Sequence, residues 1–324
     1  MQKKNSWLDG IMGLVVADAL GVPVEFTHRE ELKKNPVTGM RGYGTYNLPE
    51  GSWSDDTSMT LATISSLKNG FDLKDMMDKF AEWMTTGAYT PFGEVFDIGG
   101  TCSAAITHYM IHKDASTCGR TGERENGNGS LMRILPVCLY LYVKQKAEGL
   151  TEEEVISRIH EVSALTHAHI RSKIACGLYF FLVRAILDNN GSLQESLQRG
   201  LDAGFAYYAD TRETAGELMY YARFRRLESF KNLPEEEIES SGYVVASLEA
   251  ALWCLVKNDN YVDSMLMAVN LGSDTDTVAA IAGGLAGLYY GYEGIPEEWL
   301  KEIRKREWVE GMCENTVLSL EKML

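Results

Sequence analysis

Basic residues are in short supply. The chain carries 31 Lys and Arg against 46 Asp and Glu, a formal net charge of −15. Nucleic acid and anionic membrane would both repel such a chain at long range, so bulk charge excludes polyanions as partners. A small phosphorylated ligand in a local pocket stays open. Cysteine is sparse too: Cys102, Cys118, Cys138, Cys176, Cys254 and Cys313 lie scattered, with no CxxC pair. Several sit in apolar helical patterns and read as small core residues, which points to a reducing, cytoplasmic compartment. No apolar run reads as both long and charge-free enough to span a bilayer. The run behind the basic Met1–Asn5 is interrupted by Asp9 and Asp18 and lacks a typical cleavage site, and Val278–Tyr290 is short and glycine-rich. Alternating, strand-like stretches are also scarce.

Helical periodicity fills the space they leave. Leu61, Ile64 and Leu67 share one face ahead of the stop Asn69-Gly70. Val155, Ile159 and Val162 do the same behind Thr151-Glu152-Glu153-Glu154, a capping-box pattern. Further helices are expected over Ser172–Leu187, Val244–Val256 and Val278–Tyr290, and Tyr43–Leu48 reads as a loop. The polar, glycine-rich stretch Asp114–Gly129 is long for a loop, and loops of that length are usually functional or disordered. Ala209–Ser241 reads as a charged, solvated helical excursion. Neither stretch is a domain linker, so residues 1–324 are expected to form a single all-α domain.

Two acidic clusters stand out, Ser54-Asp55-Asp56-Thr57 and Asp274-Thr275-Asp276-Thr277, each directly before a helix. For either one alone the plain reading is an N-cap with acids at the positive end of the helix dipole. Taken together they ask for more. Ala279, Ala282, Gly283, Gly284, Ala286 and Gly287 leave the second helix little side-chain bulk, which predicts close helix approach and a meeting of the two N-termini. Four carboxylates converging in an interior repel unless cations neutralise them. Donors that are all oxygen suit Mg²⁺ or Mn²⁺. Other aspartate motifs fit poorly. An EF-hand counted from Asp274 would need glycine and glutamate where Ala279 and Leu285 stand. The phosphotransferase-like string Asp274–Val278 follows no buried strand, and Asp55-Asp56 does not continue as DDxxD.

Six segments in order carry a resemblance: Asp18–Glu25, Trp53–Thr57, Gly127–Arg133, Thr166–His169, Ser241–Val244 and Leu271–Gly284. Across Gly10 to Trp299 the chain is similar to the ADP-ribosylglycohydrolase family. The resemblance implies a single-domain orthogonal helical bundle and a dinuclear metal site on Ser54, Asp55, Asp56, Asp274, Asp276 and Thr277. It implies that Glu25 controls access and positions the leaving group. Asn128, Gly129, Ser130 and Met132 are implied to hold ADP-ribose, with His167 near its phosphates and Gly100-Thr101 facing a ribose. Read without its neighbours, the Gly127–Ser130 turn is equally a helix entry, and His167 a satisfied core or cap histidine. Ala17 and Ser273 stand where glycine is frequent in the family, and Ser54 where threonine is commoner.

The expected activity is hydrolysis of the glycosidic bond between ADP-ribose and an acceptor, assisted by two divalent ions, Mg²⁺ or Mn²⁺. Asp55, Asp56 and Glu25 are the candidate catalytic residues, with Asp55 first choice for the base. The acidic surface favours arginine as leaving group over serine. The expected partner is an ADP-ribosylated protein or small-molecule conjugate, met by a monomer, with neither nucleic acid nor membrane involved. A catalytically idle ADP-ribose-binding protein and an α-helical metal phosphohydrolase are the competing readings. Products separate the three: free ADP-ribose, nothing, or inorganic phosphate.

Overall fold

The computed structural model describes residues 5–188, 191–210 and 212–323. Among them there is no strand, only isolated bridges, and the architecture is all-α. Twelve helices have ten residues or more: α1 (Ser6–Gly21), α2 (Asp55–Leu67), α3 (Leu73–Thr86), α4 (Gly100–His112), α5 (Leu135–Glu148), α6 (Glu152–Ala164), α7 (Ile170–Leu187), α8 (Leu193–Tyr208), α9 (Val244–Lys257), α10 (Tyr261–Asn270), α11 (Thr275–Tyr290) and α12 (Arg306–Met323). The expected capping box is present on α6. Thr151 Oγ1 accepts from Glu154 N at 3.2 Å, and Glu154 Oε2 accepts from Thr151 N at 2.8 Å. α7 and α11 begin two and three residues earlier than periodicity suggests, because their first turns are polar. His169 caps the former through Arg171 N, and Asp274 precedes the latter.

The centre is the pair α1 and α11, each with fourteen of its sixteen residues buried. A helix apolar all round belongs inside a core. That accounts for the run Ser6–Val24, which has mean hydropathy 1.5 and is long enough to cross a bilayer by composition, against the sequence expectation; 94% of it is buried in the protein. The two acids that interrupt it are structural. Asp9 Oδ1 accepts from Tyr292 N at 2.9 Å, and Asp18 serves the site described below. The small-residue face of α11 also packs elsewhere than expected. It lies on α1, where a Cβ on Gly13 would stand 2.4 Å from Gly283 O. Ala17 fills the space opposite Gly283, so its methyl takes the place of the family's frequent glycine.

The excursion over 209–241 is only partly solvated. Short helices such as Leu227–Phe230 bury Tyr221, Phe224, Leu227 and Phe230, and Ile238 is buried beyond them. The Asp114–Gly129 stretch is a loop holding two short 3-10 turns, Ala115–Thr117 and Glu123–Glu125.

Candidate functional site

The N-termini of α2 and α11 do meet. Thr277 Oγ1 donates to Asp56 Oδ2 at 3.2 Å, and Ser54 Oγ donates to the same oxygen at 3.2 Å. Ser54 also caps α2, accepting from Asp56 N at 3.3 Å, so the plain reading and the functional one hold together. An acid from another helix completes that cap. Asp18, fully buried near the end of α1, accepts from Ser54 N at 3.0 Å, Thr57 N at 3.0 Å and Thr57 Oγ1 at 2.5 Å. It takes up N–H groups that a helix start leaves without partners. This fixes the direction in which Asp55 and Asp56 leave the helix.

On the other side, Gly21 at the end of α1 lies against the backbone of Asp276. Phe26 N donates to Ser273 O at 2.7 Å and Ser273 N donates to Thr27 O at 2.9 Å, which ties the segment behind Glu25 to the turn before α11. Ser273 has φ +63°, a left-handed backbone that favours glycine and explains why glycine is frequent there in the family. Asn128 spans the cleft, donating from Nδ2 to Asp274 Oδ2 at 2.7 Å and to Ser247 Oγ at 2.9 Å.

Glu25 is buried beside the cluster and accepts from the Tyr46 hydroxyl at 2.6 Å. Carboxylate oxygens of Glu25, Asp97 and Asp276 lie within 4.8 Å of one another. Asp97 had gone unnoticed in the sequence. It sits in the loop before α4 with φ +53°, and its only signal is an acid just ahead of Gly99-Gly100.

The electrostatics follow from burial. Desolvation drives the Asp55, Asp56 and Asp276 carboxyls well above the usual carboxylate range, and neighbouring acids add to it. Burial also raises Asp274, against the bond from Asn128. Asp18 is pushed up to about 6 by burial despite its donors, and Glu25 to about 9 by burial and then by Asp97. Asp56 Oδ1 and Asp276 Oδ2 are buried with no hydrogen-bond partner among the described residues. Repelling carboxylates with orphaned oxygens are what a divalent cation would relieve.

The remaining predicted residues sit around this cluster. Gly100 and Thr101 open α4, and Cys102 one residue on packs at Gly129, where a Cβ would stand 2.6 Å from its Sγ. Asn128 N donates to Gly242 O at 3.0 Å, and His167 borders the same turn. Ser130 is turned inward, its hydroxyl accepting from Ser163 Oγ at 3.1 Å, and Met132 lies in the hydrophobic core. Those two side chains therefore shape the turn from behind.

An all-α scaffold presenting two acidic helix starts beside a glycine-rich turn defines the class. A sequence profile of ADP-ribosylglycohydrolases matches residues 2–323. The chain is 32% identical over 306 residues to the ADP-ribosylarginine hydrolase Tri1 of Serratia proteamaculans, covering 94% of this chain and 76% of that one. It is 31% identical over 300 residues to the ADP-ribosyl-[dinitrogen reductase] glycohydrolase of Rhodospirillum rubrum (91% and 89%). ADP-ribosylhydrolase ARH3 of Homo sapiens is more distant, at 24% over 318 residues (87% and 82%). A solved chain from an ADP-ribosylglycohydrolase-related protein complex superposes with a TM-score of 0.76 at 31% identity, covering 98% of each chain. The chain belongs to the ADP-ribosylglycohydrolase family, and it is a hydrolase of glycosidic bonds.

Proposed function

We propose that this enzyme releases ADP-ribose from arginine, to which it is N-linked, with the help of two divalent cations, Mg²⁺ or Mn²⁺. The observation that carries the cation reading is the pair of orphaned oxygens, Asp56 Oδ1 and Asp276 Oδ2, inside an all-oxygen donor set. Ser54, Asp55, Asp56, Asp274, Asp276 and Thr277 would hold the ions. Bound there, the ions supply Lewis-acid polarisation of the terminal ribose hydroxyls and lower the pKa of water.

The chain's own residues do the rest. Among the cluster aspartates, Asp55, at the first position of α2, is the first choice to take the proton of the attacking water. The leaving group departs from an oxocarbenium-like state. Glu25, held by Tyr46, lines its exit, and Asp97 beside Glu25 supplies the negative charge that suits a guanidinium. The Asn128 N–H of the Gly127–Ser130 turn is taken by Gly242 O, and the turn's other backbone N–H groups would serve the diphosphate, which needs no bulk positive charge. The physiological partner is then an ADP-ribosylated protein or small conjugate, met by a monomer in the cytoplasm. Six cysteines that are all free and buried support a reducing compartment.

Turnover of ADP-ribosylated arginine and ADP-ribosylated serine, each with Mg²⁺, with Mn²⁺ and with chelator, tests this. Cation-dependent release from arginine supports it, and release from serine alone overturns the linkage. Release that persists fully in chelator overturns the cation reading, and binding of ADP-ribose with no release moves the protein to a binding role.

A further inference from the structure

Three of the exposed aromatic rings stand on loops that converge at Glu25: Phe26 on the next residue, Tyr43 ahead of Tyr46, and Phe92 ahead of Asp97. A lone exposed ring needs no explanation. The backbone beneath two of these does. Phe26 has φ +61°, and Tyr43 has φ +68° with ψ −118°, the conformation of the first central residue of a type II′ turn, where glycine is the rule. A bulky side chain in that region is an outlier, and such strain gathers at ligand clamps. Burial does not offset it. Phe26 is 64% exposed and Tyr43 61%, and neither ring meets another ring or a cation among the described residues.

The loops are held together around the Glu25 carboxyl. Thr45 Oγ1 donates to Glu25 O at 2.7 Å, and a Cβ on Gly44 would run into Pro23 O. The residues after Tyr43 therefore lie across the chain that leads to Phe26. The Tyr46 ring, whose hydroxyl donates to Glu25, meets the Phe96 ring at 5.0 Å. Asp97 follows, with its carboxylate beside those of Glu25 and Asp276. The result is a rim with aromatic rings outside and the carboxyls of Glu25 and Asp97 inside.

The glycine-rich turn lies on the other flank, where Asn128 reaches Asp274. What passes Glu25 is the leaving group, and beyond it the acceptor's own chain is what meets the rim. Free arginine ends at the inner carboxylates, whereas a polypeptide continues outward on both sides of its modified residue. Carboxylates inside suit its guanidinium, and rings outside suit apolar side chains next to it.

We propose that Phe26 and Tyr43 are specificity-determining residues that contact the polypeptide flanking the modified arginine and select acceptors with apolar side chains beside it. The assignment rests on the proposed exit of the leaving group past Glu25.

Two peptides carrying one ADP-ribosylated arginine, flanked by leucine or by glycine, test it beside the free ADP-ribosyl-arginine conjugate. The parent should cut the leucine-flanked peptide with a kcat/KM about tenfold above the other two, the scale of one aromatic contact at an interface. The double variant Phe26→Asn, Tyr43→Gly places residues that tolerate positive φ at both positions, so its melting temperature should equal or exceed the parent's. It should lose the leucine preference while cutting the glycine-flanked peptide and the free conjugate within about twofold of the parent. No leucine preference in the parent, or one that survives in the double variant, overturns the proposal. Equal losses on all three substrates with weaker binding of free ADP-ribose would place the rings on the ADP-ribose side. A parent that sediments as a dimer where the variant is a monomer would assign them to a second copy of the chain. Either result also overturns the proposal. Release from none of the arginine conjugates is instead a failure of the arginine reading, and the same peptides linked through serine then decide the rim.

Discussion

Gly21→Ala tests whether the meeting of α1 and α11 sets the position of a site carboxylate. A Cβ at Gly21 would stand 2.4 Å from Asp276 Cα, 2.5 Å from Asp276 N and 2.7 Å from Thr275 C. All three are backbone atoms, so no side chain can swing aside. Carbon atoms settle at roughly 3.5–4.0 Å, so the first turn of α11 must retreat by about 1 Å. Overpacking of this kind costs about 1–3 kcal/mol of stability. A misplacement of about 1 Å at reacting groups costs on the order of a hundredfold in rate. Gly13→Ala is the control. It meets Gly283 O at 2.4 Å in the same helix pair, but it lies about 12 Å further back along α1 at helical rise. Melting temperature, turnover of an ADP-ribosylated arginine conjugate and Mn²⁺ affinity would be measured on both. Both variants should melt earlier, and only Gly21→Ala should lose about a hundredfold in turnover together with cation affinity. Turnover within about threefold of the parent for Gly21→Ala, or equal losses in the two, would refute the reasoning.

Asp55→Ala and Asp56→Ala should each lower turnover by roughly a hundredfold or more, and full activity in either overturns its assigned role. With chelator present, the raised pKa values of Asp55, Asp56, Asp276 and Glu25 mean that the folded state binds more protons than the unfolded one. Stability in chelator should therefore fall as pH rises above the ordinary carboxylate range and up to about 9, the Glu25 value. Saturating Mg²⁺ or Mn²⁺ should flatten or reverse that slope, and identical melting curves with and without cation across the range would contradict a cation site. Ser273→Gly should raise stability by about 0.5–1 kcal/mol, since it frees a side chain from left-handed backbone. A lower melting temperature would show that the serine has a role of its own.

What was legible in the sequence depended on how far apart the partners of each interaction lie. Helix starts were legible because cap and recipient sit within one turn of chain, as with Thr151 and Glu154 or Ser54 and Asp56. Both acidic clusters were visible for the same reason, and the need for a counter-charge followed from their number. Asp18 looked like an interruption of an apolar run, because its recipients, Ser54 and Thr57, lie 36 and 39 residues away. Only the fold turns it into a cap. The small face of α11 announced a close approach without naming its partner. Glycine on one helix fits whichever helix offers a matching gap, and Gly13, Ala17 and Gly21 on α1 offer it where α2 does not. Asp97 carried the least signal of all, a single acid in a loop, yet it stands within 4.8 Å of oxygens on Glu25 and Asp276. The site is thus local motifs held in register by long-range packing. Asn128 joins the glycine turn to Asp274 across 146 residues, and that bond fixes the turn beside the acidic start of α11.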